Sequence, residues 1–429
     1  MPDEKEDLEV ATKDTSSKLT TNGTTITKKR TLSPSLDDFD HDKPLMNKQS
    51  KNEINRQNDN ETKVPIQEQG KPDSEKNPTN ETDENKNMEE APAQKYEKTS
   101  KDYYFDSYSH YGIHEEMIKD HVRTETYRCA IMNNSHMFKD KIVLDVGCGT
   151  GILSMFAAQA GAKHVYGIDC SAIIDQAKKI VKKNGFENKI TLIKGKAEEV
   201  ELPFAENASN QRQVDIIVSE WMGYFLLYES MLDTVIYARD KWLVPNGAIL
   251  PDKAVLYMCA VEDGQYKHER IDWWNQVYGF DFSPIRDIAI KEPIVDIVDA
   301  KSVVTDAIPI LNIDIMTCQK EDLAFQSHFS LTSRKNDYIH GFVGYFECAF
   351  TQLHKPIGFS TSPSSNYTHW KQTLFYLPDT FTICVGEKIE GDIYCKPNES
   401  NNRDLDITLD IKVKGVHSKF EGKFDYNLR

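Results

Sequence analysis

Residues 141–151 read KIVLDVGCGTG, and no other segment constrains the fold as strongly. Ile142, Val143, Leu144 and Val146 form an apolar run suited to a strand buried on both faces, with Asp145 near its end. Gly147, Gly149 and Gly151 then make a tight turn, and 152–160 reads as an apolar helix. The alternation continues with a strand at 164–168, a helix at 171–184, and strands at 190–194 and 214–218. That order predicts a parallel sheet with helices on both faces, a Rossmann-like α/β domain. After Pro251 the pattern changes to short runs of Val, Ile, Phe, Tyr and Thr between turn residues. An antiparallel β domain is expected there, over 251–429. One helical stretch is expected upstream of the sheet, from Glu115 to Met132.

The turn narrows the ligand. It lacks the Lys-Ser or Lys-Thr step of a triphosphate loop. The dinucleotide fingerprint has its third glycine one position later than this turn does. Asp169 ends the second strand about 20 residues after the turn, where an acid is placed to bind ribose hydroxyls. A nucleoside without a pyrophosphate fits, and S-adenosylmethionine is the leading candidate.

Residues 219–231 read SEWMGYFLLYESM, with Glu220 and Glu229 bracketing an otherwise apolar stretch. Burying a carboxylate among apolar groups is costly unless a cation pairs with it. A flat guanidinium meets the need of two such carboxylates, because its donors form a fork. The segment reads as a pocket for an arginine side chain.

Charge and composition bound the rest. A net charge of −16 disfavours nonspecific nucleic-acid binding and would attract basic peptides. The eight cysteines include no CxxC pair, so no metal site is expected and the thiols read as free. No apolar run approaches the ~18 residues of a membrane span, and the first ten residues lack a secretory core. Residues 1–100 carry only two aromatics, Phe39 and Tyr96, and read as a disordered tail with a basic run at 28–30. Residues 204–213 read as a polar surface insertion. Residues 263–290 have helical character and carry Trp273, Trp274, Tyr278 and Phe280, which suggests a buried contact with a partner.

Five blocks in this order resemble the protein arginine N-methyltransferase family, and within it the type I, asymmetric-dimethylating branch. They are 104–108 (YFDSY), 143–151, 219–231, the Trp273–Trp274 stretch, and Thr368-His369-Trp370. The resemblance covers 101–429. It implies helices and a cofactor domain over 101–250, a β-barrel over 251–429, and a dimerisation arm at about 263–290. Glu220 and Glu229 would align the substrate guanidinium, and His369 with Asp120 would take the released proton. Arg123 resembles the arginine that grips the methionine carboxylate, and His114 a neighbouring cofactor contact. Asp145, Gly147 and Gly149 would floor the cofactor site, Asp169 would take the ribose, and Ala197 and Glu198 the adenine. Many relatives carry glutamate where this chain has Asp169. Tyr104, Phe105 and Tyr108 would close as a lid. Met117 and Met231, with Tyr224, would line the substrate pocket and leave room for a second methyl on one nitrogen. The implied partners are histone tails, Gly/Arg-rich RNA-binding proteins and a second copy of the chain, in nucleus and cytoplasm. A docking scaffold and a methyltransferase for another acceptor are the competing classes.

Overall fold

The structure is a computed structural model that describes residues 108–204 and 213–429, within one compact unit. The tail, Tyr104, Phe105 and residues 205–212 lie outside the described residues.

Five parallel strands form the first sheet: β1 (Ile142–Val146), β2 (His164–Asp169), β3 (Ile190–Lys194), β4 (Val214–Val218) and β5 (Leu243–Leu250). Their order is β3-β2-β1-β4-β5. The direction of winding therefore reverses between β1 and β4. A doubly wound sheet binds its ligands at such a switch point, outside the carboxyl ends of the strands. The glycine turn leaves the end of β1, and the Glu-bracketed loop leaves the end of β4. Topology thus brings together two motifs separated by about 70 residues, and the Ser219 hydroxyl ties the strand ends by donating to the Val146 carbonyl at 2.8 Å.

Helices α1 (Tyr111–Lys119) and α2 (His121–Met132) precede the sheet. They replace the single helix expected over this stretch. Asp120 breaks it: its backbone is extended, and its side chain accepts from the Arg123 amide as the N-cap of α2. After a short α3 (Ser135–Phe138), the crossovers are α4 (Ile152–Gln159), α5 (Ile174–Lys183) and α6 (Leu232–Trp242). Phe204 is not a surface residue as expected; it packs edge-on against Tyr166 at 5.8 Å, on the core.

The second half is antiparallel. One sheet has the order β7 (Ile294–Asp296), β12 (Gln372–Ile383), β10 (Asp337–Phe350), β6 (Lys253–Val261), β8 (Ile308–Asp314), with β11 (Ile357–Ser360) paired to β10. The other has the order β15 (Lys419–Leu428), β14 (Leu405–Lys414), β13 (Lys388–Pro397), β9 (Phe325–Thr332). Alternation decides which face is inside: Leu405, Ile407, Leu409, Ile411 and Val413 of β14 are all buried. Between β6 and β7 lie α7 (Gly264–Arg270) and α8 (Ser283–Ala289), the segment expected as an arm. One continuous apolar core runs from the parallel sheet through the Glu-bracketed loop into the β domain.

Candidate active site

The glycine turn is built as the sequence suggests. Gly147, Gly149 and Gly151 all have positive φ (72°, 51° and 82°), a region L side chains rarely adopt. Gly147 is also required for space, since a Cβ there would lie 2.4 Å from Met231 Cε. The Gly149 amide donates to Asp169 Oδ2 at 2.8 Å, while Oδ1 accepts from the Ser171 amide (2.8 Å) and hydroxyl (2.6 Å). The Asp169 carboxylate is thereby fixed, yet its oxygens keep acceptor capacity for hydroxyl donors. Glu198 is exposed and accepts from the Thr234 hydroxyl at 2.8 Å. His114 is buried and bonds the Tyr108 carbonyl through Nε2 at 2.8 Å.

A chain of charged groups joins the helices to the two loops. Arg123 donates through Nε and Nη2 to Glu220 Oε2 (2.9 and 2.8 Å), both side chains being 8 % exposed. Nη1 donates to the Met117 carbonyl at 3.2 Å. Glu220 therefore already has a guanidinium partner from its own chain, which offsets the cost of burying it. Asp120 Oδ2 accepts from His369 Nδ1 and from the His369 amide, both at 2.8 Å. Burial pushes the Asp120 carboxyl up, but the bonds from His369 and from the Arg123 amide outweigh it and hold the group below the usual range. An ionised Asp120 fixes the proton of a neutral His369 on Nδ1, which leaves Nε2 as the basic nitrogen.

The Glu-bracketed loop is strained. Phe225, Leu226 and Glu229 all have positive φ (49°, 65° and 54°), which costs roughly 1–3 kcal/mol each. Packing holds them: Phe225 meets Phe375 of the β domain at 5.1 Å, and the Trp370 indole donates to the Met222 carbonyl at 3.1 Å. The Glu229 amide donates to the Arg403 carbonyl at 3.0 Å. Burial raises the Glu229 carboxyl above its ordinary value; the Arg403 charge opposes that rise.

A cavity of about 570 Å³ connects these parts, a size suited to small-molecule sites. Its wall holds every predicted site residue among the described residues except Asp120 and Asp145. Asp120 lies behind the wall, hydrogen-bonded to His369. Asp145 is not the floor it was expected to be. It is 1 % exposed, accepts from the Ser154 hydroxyl at 2.7 Å, and leaves Oδ1 without a hydrogen bond. Cys148 is buried as well, and burial pushes its thiol well up. No motif marked Arg403, which lies in a polar loop of the β domain. Ser154 carried a faint signal, as a lone hydroxyl on an apolar helix.

The donor set fits an adenosyl amino acid: an open glycine cradle, a fixed acid at the end of β2, an exposed acid beside Ala197, and a buried guanidinium for a carboxylate. Fold and site together define a Rossmann-type methyltransferase with a carboxylate-lined acceptor pocket. Residues 252–416 match the arginine methyltransferase oligomerization subdomain, and residues 121–237 match ribosomal protein L11 methyltransferase. The chain is 56 % identical over 333 residues to protein arginine N-methyltransferase 1 of Chlamydomonas reinhardtii, covering 78 % of this chain and 94 % of that one. It is 59 % identical over 311 residues to the Schizosaccharomyces pombe enzyme of that name, covering 72 % and 89 %. Among solved structures, the Trypanosoma brucei PRMT1 enzyme–prozyme heterotetramer with AdoHcy superimposes with a TM-score of 0.72 at 47 % identity, covering 76 % of this chain and all of that one. The chain belongs to the protein arginine N-methyltransferase family, and its β domain includes the family's oligomerisation subdomain.

Proposed function

We propose that the 570 Å³ cavity is the methyl-transfer site of this chain, with the residue roles that follow. The enzyme is a type I protein arginine N-methyltransferase: it moves methyl groups from S-adenosylmethionine to guanidino nitrogens and yields monomethyl and asymmetric dimethyl arginine. When bound, S-adenosylmethionine supplies an already activated methyl group, so the protein has no electrophile to create. Arg123 holds the methionine carboxylate; its five donors suffice for that and for Glu220. Asp169 takes the ribose, Glu198 and Ala197 the adenine, and His114, Gly147, Gly149 and Tyr108 line the rest.

Glu220 and Glu229 grip the substrate guanidinium and draw its positive charge toward the nitrogens they contact. The remaining nitrogen keeps lone-pair density and is aimed at the donor, an electrostatic preorganisation. His369 Nε2 receives the released proton, and Asp120 sets the tautomer that makes this feasible. Met117, Met231 and Tyr224 shape a pocket that accepts a nitrogen already carrying one methyl. The single observation that carries this reading is the convergence of Glu220, Glu229 and His369, from both halves of the chain, on the cavity lined by the glycine turn.

The substrates proposed are histone tails and Gly/Arg-rich RNA-binding proteins, which an acidic protein attracts. The assembly proposed is a homodimer through 263–290. A nuclear and cytoplasmic location is supported by the basic run at 28–30 and the unpaired cysteines.

Mass spectrometry of a Gly-Arg-Gly peptide incubated with S-adenosylmethionine tests the reading. Two methyls on one terminal nitrogen are expected; one on each nitrogen would overturn the roles of Met117 and Met231. Glu229→Gln should lower turnover at least ~100-fold, the scale of losing one preorganised electrostatic contact, with cofactor affinity nearly intact. Equal loss of both would remove Glu229 from the acceptor pocket.

A further inference from the structure

Tyr266, Asp296 and Lys371 join the root of the 263–290 segment to the turn that carries His369. The Tyr266 hydroxyl, on α7, donates to Asp296 Oδ2 at 2.6 Å. Asp296 Oδ1 accepts from Lys371 Nζ at 3.3 Å and from the Ile297 amide at 2.9 Å. Asp296 ends β7, the short edge strand into which the chain runs after α8. There it stands in register with Gln372, the first residue of β12.

The turn before β12 is a tense one. The Lys371 amide donates to the Thr368 carbonyl at 3.0 Å, and Lys371 has φ 49°. Lysine rarely occupies this left-handed region, so its surroundings must hold it there. The ion pair to Asp296 holds its side chain. Gln372 holds the next residue, accepting from the Val298 amide and donating to the Thr361 carbonyl, both at 2.8 Å. Two of these three side-chain contacts at the downstream end of the His369 turn thus lead back to β7 and the residues just after it, and the third leads to Thr361. The Tyr266 bond holds Asp296 below the usual carboxylate range, against a smaller opposing effect of burial, so the pair with Lys371 persists at neutral pH.

We propose that Tyr266, Asp296 and Lys371 are positioning residues for methyl transfer, which transmit the seating of the arm to His369. The proposal rests on the reading of His369 as the proton acceptor. An isolated, half-exposed ion pair contributes little to stability. This one differs in its place, between the first helix of the 263–290 segment and the strained turn that carries His369. A shift of α7 moves Asp296, releases Lys371 and lets the imidazole drift from its line to the acceptor. Small displacements of this kind cost rate rather than binding.

The test uses the full chain with Asp296→Asn and, as the milder change, Tyr266→Phe. Each is made in the wild-type and in the His369→Ala background. Turnover and KM for S-adenosylmethionine are measured with a Gly-Arg-Gly peptide, alongside sedimentation and thermal melts. Asp296→Asn is expected to lower kcat about tenfold while leaving the cofactor KM within about twofold and the oligomer intact. In the His369→Ala background that loss should vanish. A lower melting temperature with unchanged kcat would reduce the trio to ordinary structural contacts. A tenfold loss in both backgrounds would overturn transmission through His369 while leaving the role of His369 in place. Unchanged turnover in His369→Ala alone would instead sink the proton-acceptor reading itself, and the proposal with it.

Discussion

Asp145 shows how one residue links the sequence motif to stability. It sits among Val143, Leu144 and Val146 because the strand is buried on both faces, and it bonds only Ser154. Burial, helped by the charge of Asp169 and opposed by the bonds from Ser154, raises its carboxyl from 3.8 to about 7. The folded state therefore binds a proton that the unfolded chain releases. Stability from this group is fully present below pH 3.8 and is lost as pH rises through about 7. Asp145→Asn keeps a neutral polar group there, and its melting temperature should fall less than wild type's between pH 5 and about 7. Parallel curves for the two proteins would mean that Asp145 is charged in the fold. The legible part of the site follows the same logic. Glu220 and Glu229 could be read because acids in an apolar loop are expensive placements that need a reason, and His369 because its Thr-His-Trp triplet resembles that of the family. The partner of Glu220 could not be read from that loop, since Arg123 lies 97 residues away and only the fold brings it near.

Elements were legible where a period ran unbroken. Strands β1 to β4 and helices α4 and α5 keep their apolar rhythm, and the structure places them where that rhythm does; α6 and β5 were not read from the sequence. The break at Asp120 escaped because neither glycine nor proline marks it; its cause is a cap that an aspartate supplies and a bond to His369 some 249 residues on. The packing of the Glu-bracketed loop on β10 was equally invisible, because it depends on an absence. Gly344 gives the Phe225 ring its space: a Cβ there would lie 2.1 Å from Cε2 of a ring that is 2 % exposed. Phe225 cannot retreat, since its backbone is already left-handed and its ring is wedged against Phe375. Gly344→Ala should destabilise the protein by about 1–3 kcal/mol, the usual cost of overpacking. Pairing it with Phe225→Leu should recover part of that loss. Denaturant melts of the two single variants and the double variant check this; strictly additive losses would mean that the contact is not what Gly344 protects.

Across the whole molecule, the densest run of exposed large apolar side chains among the described residues lies in the 263–290 segment. Tyr278 is 95 % exposed, Phe280 70 % and Trp273 46 %, and Ile285 and Ile288 of α8 lie open as well. Single exposed apolar residues are ordinary, but this many in one short segment mark an interaction surface. The segment lies within the oligomerisation subdomain, and although Glu269, Asp281 and Asp287 are exposed on it too, its cluster of open aromatic and aliphatic side chains suits a second copy of the same chain. A cyclic pair in which each arm rests on its partner would bury these rings and seat α7 from outside. Replacing Phe280 with glutamate puts a charge where the interface is expected to be dry. Sedimentation should then show monomers at concentrations where the wild type is assembled. Turnover should fall with the dimer, in proportion to the monomer fraction, because Tyr266 loses the support that keeps Asp296 against Lys371. A fully active monomer would show that the two halves of one chain hold the His369 turn unaided, and that assembly serves something other than chemistry.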